Sequence, residues 1–237
     1  MALQVEGEWA MQVEQVLQVI TEGGFTPRGG FHPNPEDGVP DLDAGRPARA
    51  LLLVGNAGPT MWDRFSRERQ PKTDLLDDWS REKLGEVARD LGAKALFPFT
   101  KPHFPFQRWA QRAEACHASP LGIFIHPDYG LWHGYRGALA LAEKLDLPAH
   151  DARSSPCDSC PDRPCLKTCP VGAFTAGAYD VAACARHIAS PAGSDCMSRG
   201  CRARRACPIG RDYTYRPEQA EFHMRAFLRA RREDNTF

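Results

Sequence analysis

Net charge is missing from this sequence: 30 lysines and arginines stand against 30 aspartates and glutamates in 237 residues. A balanced surface exerts no long-range pull on nucleic acid or anionic membrane, although a local patch still can. Long apolar runs are missing too, and nothing approaches the length of a membrane span. The opening residues, Met-Ala-Leu-Gln-Val-Glu, are acidic where a secretion signal would be basic. These absences predict a cytoplasmic protein with no membrane attachment. No G-x-G-x-x-G run follows an apolar strand, so Gly55-Asn56-Ala57-Gly58-Pro59 reads as an ordinary tight turn and carries no dinucleotide signature. The length allows one large domain, or one domain with a smaller appendage, and ample core.

Cysteine, by contrast, is concentrated. Of nine cysteines, eight lie between Cys157 and Cys207. The first run, Cys157-Asp-Ser-Cys160-Pro-Asp-Arg-Pro-Cys165-Leu-Lys-Thr-Cys169-Pro170, is like the bacterial ferredoxin pattern C-x2-C-x2-C-x3-C-P except that its middle spacer is four residues long. Zinc sites also use C-x2-C pairs. Cys184, Cys196, Cys201 and Cys207-Pro208 decide between them, because one zinc ion would leave half of the eight idle, whereas two four-iron clusters need eight. The odd total, the tight clustering and the missing signal speak against disulfides. Cys116 lies apart in an alanine-rich stretch and is expected to be a buried small residue.

Periodicity organises the remainder. Trp9, Val13, Val16, Leu17 and Ile20 fall at helical spacing within residues 8–22. Residues 23–47, rich in Gly, Pro, Asn and Asp, read as a long loop. Ala48 to Val54 reads as a buried strand turning into a helix near Thr60 to Arg67. Leu75 to Leu91 is amphipathic with Gly92 suited to cap it. Ala93 to Phe97 is the next expected strand, and Gln107 to His117 another helix. Ile123 to Ile125 is strand-like, and Trp132 to Ala142 runs back as a partner strand or forms a helix, the hairpin being favoured. His126, Tyr129, Trp132, His133 and Tyr135 then crowd one end of it. That grouping suits a flat, partly apolar ligand with polar edges, and equally suits an aromatic core corner. Arginines at 199, 202, 204, 205, 211, 225, 229, 231 and 232 fall between and after the last cysteines, the last four on an amphipathic C-terminal helix. They fit balance of anionic cluster charge better than a grip on RNA.

Two resemblances follow from these residues. From His150 to Pro208 the chain resembles the iron-sulfur segment of epoxyqueuosine reductase, in which a ferredoxin-like run is followed by an isolated cysteine and a second run. Here both runs are looser, with four residues between Cys196 and Cys201 and five between Cys201 and Cys207. The resemblance implies Cys157, Cys160, Cys165 and Cys207 on one cluster, and Cys169, Cys184, Cys196 and Cys201 on the other. The second resemblance is to CblC-type cobalamin-processing proteins. It rests on Ile125-His126-Pro127-Asp128-Tyr129-Gly130-Leu131-Trp132 with Tyr135-Arg136-Gly137, on Gly58-Pro59-Thr60-Met61-Trp62-Asp63-Arg64, and on Asp212-Tyr213-Thr214-Tyr215-Arg216, in that family's general pattern.

Together the resemblances imply an α+β fold, with a corrin-binding, nitroreductase-like or CblC-like domain over residues 1–150, completed by 211–237, and a ferredoxin-like two-cluster module over 151–210. They imply two [4Fe-4S] clusters and base-off cobalamin, the corrin contacts being His126, Pro127, Tyr129, Gly130, Trp132, Tyr135, Arg136 and Gly137. His126 is then a pocket wall, with no protein ligand on cobalt. Three functions are expected in descending order: B12 processing by reductive removal of the upper axial ligand, cobalamin-dependent reduction of an organic substrate, and electron carriage without corrin. Asp128, Tyr129 and Tyr215 are the candidate proton donors. Expected partners are cobalamin and an external low-potential donor, such as a ferredoxin, flavodoxin or flavoprotein reductase; nucleic acid is not expected.

Overall fold

The computed structural model describes residues 12–69, 76–175 and 177–234. The fold is mixed α/β and divides into two compact units. The first gathers the chain up to Gly55 with Arg69–Glu114 and Tyr135–His150, and the second gathers Asn56–Glu68, Ala115–Gly134 and the chain from Asp151 onward. The cysteine-bearing segment therefore groups with two earlier stretches and with the C-terminal helix. No helix among the described residues is long and apolar enough to cross a membrane.

The first unit is built on a sheet. In chain order its elements are α1 (Val13–Glu22), β1 (Thr26–Phe31) and β2 (Ala50–Ala57), whose last two residues belong to the other unit. After the second unit's α2 (Thr60–Glu68) come α3 (Leu76–Asp90), β3 (Lys94–Leu96) and α4 (Phe106–Ala113). The second unit then supplies β4 (His117–Ala118) and β5 (Phe124–Ile125), and the sheet closes with β6 (His133–Leu141). Strand order is β1-β2-β6-β3. Every residue of β2 is buried, and its first five, Ala50 to Val54, form an unbroken apolar run instead of an alternation. Helix α1 packs on β1 and α3, α3 on β3, and α4 on β1. Aspartates at 77 and 78 open α3 and Arg89 closes it, charges that complement the helix dipole, and Gly92 follows in a left-handed conformation. Trp9 and Leu75 lie outside the described residues.

Two expectations fail here. Residues 23–47 are not all loop, because β1 pairs antiparallel with β2, with a register shift between Pro27 and Gly30. Thr-Pro-Arg-Gly-Gly-Phe has neither alternation nor β-branched density, so the strand is supplied by its neighbours. The favoured hairpin does not form either. β5 pairs with β4, and β6 pairs with β3 in the four-stranded sheet, while His126 and Gly130 make only an isolated bridge. Helix α4 also stops at Ala113, which leaves Cys116 beyond it, and that thiol is buried as expected.

Three residues expected at the ligand site are occupied in this unit. Arg28 is 0% exposed and donates through Nε to Glu114 at 3.2 Å and through Nη2 to the other carboxylate oxygen. Tyr135 donates its hydroxyl to the same carboxylate, and the Arg28 guanidinium stands 4.9 Å from the centre of its ring. Arg136 donates to Ser80 at 3.1 Å and pairs with Asp77. Gly137 faces Leu84 and Leu96 so closely that an added Cβ would stand 2.3 Å from a Leu84 methyl.

The remaining elements belong to the second unit: α5 (Pro164–Lys167), β7 (Phe174–Thr175), β8 (Ala178–Tyr179), α6 (Val181–Ala189), α7 (Ser194–Arg199), α8 (Arg202–Arg205) and α9 (Pro217–Glu233). Strands β7 and β8 form a two-stranded ribbon, and α9 packs along α7 and α6.

Removing one partner of a buried ion pair strands the other charge. Glu114→Gln should therefore cost ~3–5 kcal/mol in denaturant unfolding, and the double change Arg28→Met with Glu114→Leu should recover most of that loss. A single-variant loss below ~1 kcal/mol would mean that the pair does not hold the unit together.

Candidate functional site

Three stretches far apart in sequence meet within the second unit. The Gly58 N–H donates to the Trp132 carbonyl at 2.7 Å, while Asn56 Nδ2 donates to the Tyr215 hydroxyl at 3.0 Å. Asp63 pairs with Arg216 at 2.7 Å. Between the second and third stretches the backbones touch. Gly130 and Gly210 have φ of +56° and +70°, and an added Cβ would stand 2.0 Å from the Ile209 oxygen in one case and 2.3 Å from the Tyr129 carbonyl in the other. Only glycine satisfies both the left-handed backbone and the closeness.

That contact sets a tight loop. His126 and Gly130 exchange two backbone hydrogen bonds of 2.9 Å, which puts Pro127, Asp128 and Tyr129 between them. His126 is 5% exposed, and its Nδ1 accepts backbone N–H groups from Asp128 at 3.1 Å and Tyr129 at 3.4 Å. Nδ1 is thus the bare nitrogen and Nε2 carries the proton. The Tyr129 ring stacks on the imidazole at 4.4 Å, Tyr213 meets Tyr129 edge-on at 4.9 Å, and His133 lies 6.2 Å from His126. The result is a half-buried aromatic and imidazole edge.

The three candidate proton donors separate here. Both Asp128 carboxylate oxygens accept from Arg153, at 2.8 and 2.7 Å, and those bonds hold its carboxyl below the usual range. It is an anion at neutral pH. Arg153 also holds Asp151, whose pKa falls to about 2. Tyr215 is buried and engaged with Asn56, and Trp132, 2% exposed, lies edge-on to it with Arg204 4.5 Å from each ring centre. Tyr129 alone is half-exposed and stacked beside the histidines.

The thiols stand in two groups. Cys157, Cys165 and Cys207 pack with Leu121, Ile125, Leu131, Phe174 and Ala203, and Cys160 is close enough to influence the charge of all three. Cys169, Cys184, Cys196 and Cys201 line a cavity of about 20 Å³ together with Phe174, Ile188 and Met224. Cys169 and Cys201 also pack against the apolar cluster of the first group, so the two share a wall. The order is crossed: the last cysteine of each run joins the other run's set. Burial raises the pKa of Cys157, Cys165, Cys184 and Cys207, and pushes Cys201 up to about 11, with neighbouring thiols adding in the same direction. Holding these sulfurs as thiolates calls for positive charge among them. Among the described residues, no three His, Cys, Asp or Glu side chains converge as ligands of a single ion.

Sequence reasoning missed the roles of Arg153, Asn56 and Gly210. Their partners lie 25, 159 and roughly 80 positions away, and no local spacing signals such pairing.

No protein-family model matches the chain, and no curated protein matches it. Solved structures do. Epoxyqueuosine reductase from Bacillus subtilis, with its catalytic loop swung out of the active site, aligns with a TM-score of 0.50 at 15% identity over 88% of this chain and 68% of that one. Epoxyqueuosine reductase with an epoxyqueuosine-modified tRNA-Tyr stem loop aligns at 0.49 and 15%, over 90% and 69%. A selenomethionine-labelled epoxyqueuosine reductase aligns at 0.48 and 16%, over 88% and 68%. The likeness to the Bacillus subtilis enzyme is one of fold. None of these three is a CblC-type protein.

The glycine contact gives a paired test. Gly210→Ala should cost about 3 kcal/mol or more, since it combines a left-handed alanine with a backbone collision, and should change the near-ultraviolet signal of the tyrosines. Gly45→Ala, at φ +81° with nothing within 4 Å, should cost only ~1–2 kcal/mol. Equal losses in thermal unfolding would show that the two backbones do not need to touch.

Proposed function

We propose that this chain is an iron-sulfur protein that uses cobalamin, bound without its lower base, to reduce an organic substrate. The observation that carries the reading is the arrangement of the thiols. Two groups of four, with Cys196 and Cys207 buried and the others partly so, share an apolar wall, and the strip leading out of one of them, Cys207 to Gly210, is the strip against which Tyr129 and Gly130 pack. In this reading Cys157, Cys160, Cys165 and Cys207 hold one [4Fe-4S] cluster, and Cys169, Cys184, Cys196 and Cys201 hold the other. The donor set suits such clusters, because every donor is a thiol and burial leaves the sulfurs short of positive charge. Bound there, the clusters supply one-electron chemistry at low potential.

Reduction of a substrate is favoured over B12 processing because the fold likeness is to a reductase. A bare electron carrier would have no use for the first unit and its sheet. The corrin contacts narrow to His126, Pro127, Tyr129 and Gly130, joined by His133 and Tyr213. Trp132, Tyr135, Arg136 and Gly137 have other work, the first against Arg204 and Tyr215 and the others inside the first unit. His126, with Nδ1 accepting from backbone N–H groups and the Tyr129 ring stacked on it, forms the wall of that edge. Tyr129 is the group left to deliver a proton, Asp128 being held as an anion by Arg153. The expectation against nucleic acid has no support from the comparisons, since one neighbour was solved with a tRNA stem loop.

The test is anaerobic: reconstitute with iron and sulfide, add cob(II)alamin, desalt, and read iron content and the cobalt EPR spectrum on one sample. Retained base-off Co(II) beside about eight irons is the expected result, and iron without retained cobalamin would leave the electron carrier. Turnover of an epoxyqueuosine-containing RNA, against loss of the upper ligand from cyanocobalamin, then separates substrate reduction from processing. Cys165→Ala and Cys201→Ala should each lose roughly half of the iron, and full retention in either would overturn its place among the ligands.

A further inference from the structure

The charge that balances over the whole chain is unevenly placed. From Ser194 to Asp234 there are ten arginines against six carboxylates, a surplus of four that the rest of the chain cancels. Part of that surplus is spent locally: Asp195 pairs with Arg199, Arg202 and Arg205, Glu221 with Arg225, and Asp234 with Arg231. Arg229 and Arg232 are exposed and, among the described residues, have no ion-pair partner. With Arg225 they recur at i, i+4 and i+7, which sets three guanidinium groups on one face of α9.

That face borders a shallow groove of about 370 Å³, lined by Met197, Arg225, Leu228, Arg229, Arg232 and Glu233. Its apolar floor is also the outer wall of the second thiol group. Leu228 is buried in one cluster with Ala185, Ile188 and Cys196, and Met197 and Cys184 pack against the same cluster. A protein seated in this groove would therefore be separated from Cys184 and Cys196 by a single layer of side chains. No aromatic side chain lines the groove, so it offers no platform on which a base can stack.

We infer that the groove between α7 and α9 is the docking surface for a small electron-donor protein with an acidic face. The inference rests on the two-cluster reading above. The exposed arginines provide attraction and orientation, which in such encounters govern association and make it sensitive to salt. The apolar floor provides the contact, and the thiol group behind it supplies the reason for docking at this point on the surface.

The test uses the reconstituted protein, with iron content measured on every preparation, and labelled acidic flavodoxin and acidic ferredoxin as probes. The wild-type chain should bind at least one of them, and its Kd should weaken steeply as salt rises from about 20 to about 200 mM. Arg229→Glu with Arg232→Glu, both exposed and unpaired, should keep full iron and weaken that Kd at least ~tenfold. An unchanged Kd in an iron-loaded double variant overturns the docking surface, as does failure of the iron-loaded wild type to bind either probe. If the double variant instead loses affinity for a tRNA stem loop and keeps the donor protein, the groove belongs to RNA. A wild-type preparation that takes up no iron fails on the two-cluster reading, and so is told apart from a failure of docking.

Discussion

Where the second unit has its cysteines they are part of its core. Cys157, Cys165, Cys169, Cys201 and Cys207 pack with a handful of residues from β5, β7 and the loops between, and Cys184 and Cys196 do the same beneath α9. Burial raises the pKa of Cys157, Cys165, Cys184, Cys201 and Cys207, and neighbouring thiols add in the same direction, so in the reading proposed above this part of the unit would gain cohesion from what the sulfurs bind. Short elements such as the four-residue α5 and α8 and the two-residue β7 and β8 have no independent stability. They are held by packing: Phe174 and Tyr179 stack at 4.5 Å, and Leu166 and Ala203 join the cluster of Cys157, Cys165 and Cys207.

The same constraint reaches the aromatic edge. Cys207 belongs to the first thiol group, and two residues later the backbone passes through Ile209 and Gly210 into contact with Gly130 and Tyr129. Anything that fixes Cys207 therefore fixes the strip on which the His126 to Gly130 loop rests. A bound group at the thiols and a ligand at the histidine and tyrosine edge would be coupled through a few covalent bonds and one backbone contact, a short route for an electron and a stiff one for strain.

Residue type made part of this legible in the sequence. Cysteines in runs carry their chemistry with them, so the need for two clusters can be read from the total of eight, whereas the division into two sets is what the resemblance to epoxyqueuosine reductase implies. The buried β2 and the amphipathic α3 and α9 were legible because burial on both faces writes a continuous apolar run into the sequence and burial on one helical face writes a period. What was not legible depends on partners chosen in three dimensions. Residues Thr26 to Phe31 become a strand only because β2 offers a free edge. Trp132 to Ala142 was expected to fold back on Ile125, yet the sheet claims β6 for β3, and the turn formers close no more than a single bridge. Tyr135 and Arg136 resembled ligand-binding residues until Glu114 and Asp77 were seen to hold them. Arg153 gave no signal at all, although its grip on Asp128 decides which group in the loop can give up a proton.

The central claim is that eight thiols hold two four-iron clusters in crossed order, and Mössbauer spectroscopy addresses it directly. After anaerobic reconstitution with 57Fe, the wild-type chain should show only the signature of [4Fe-4S] clusters, at about eight irons per chain. Cys184→Ala should show that same signature with its intensity roughly halved and the first group intact. Iron in any other form, or about four irons in the wild type with no loss on changing Cys184, would contradict the account.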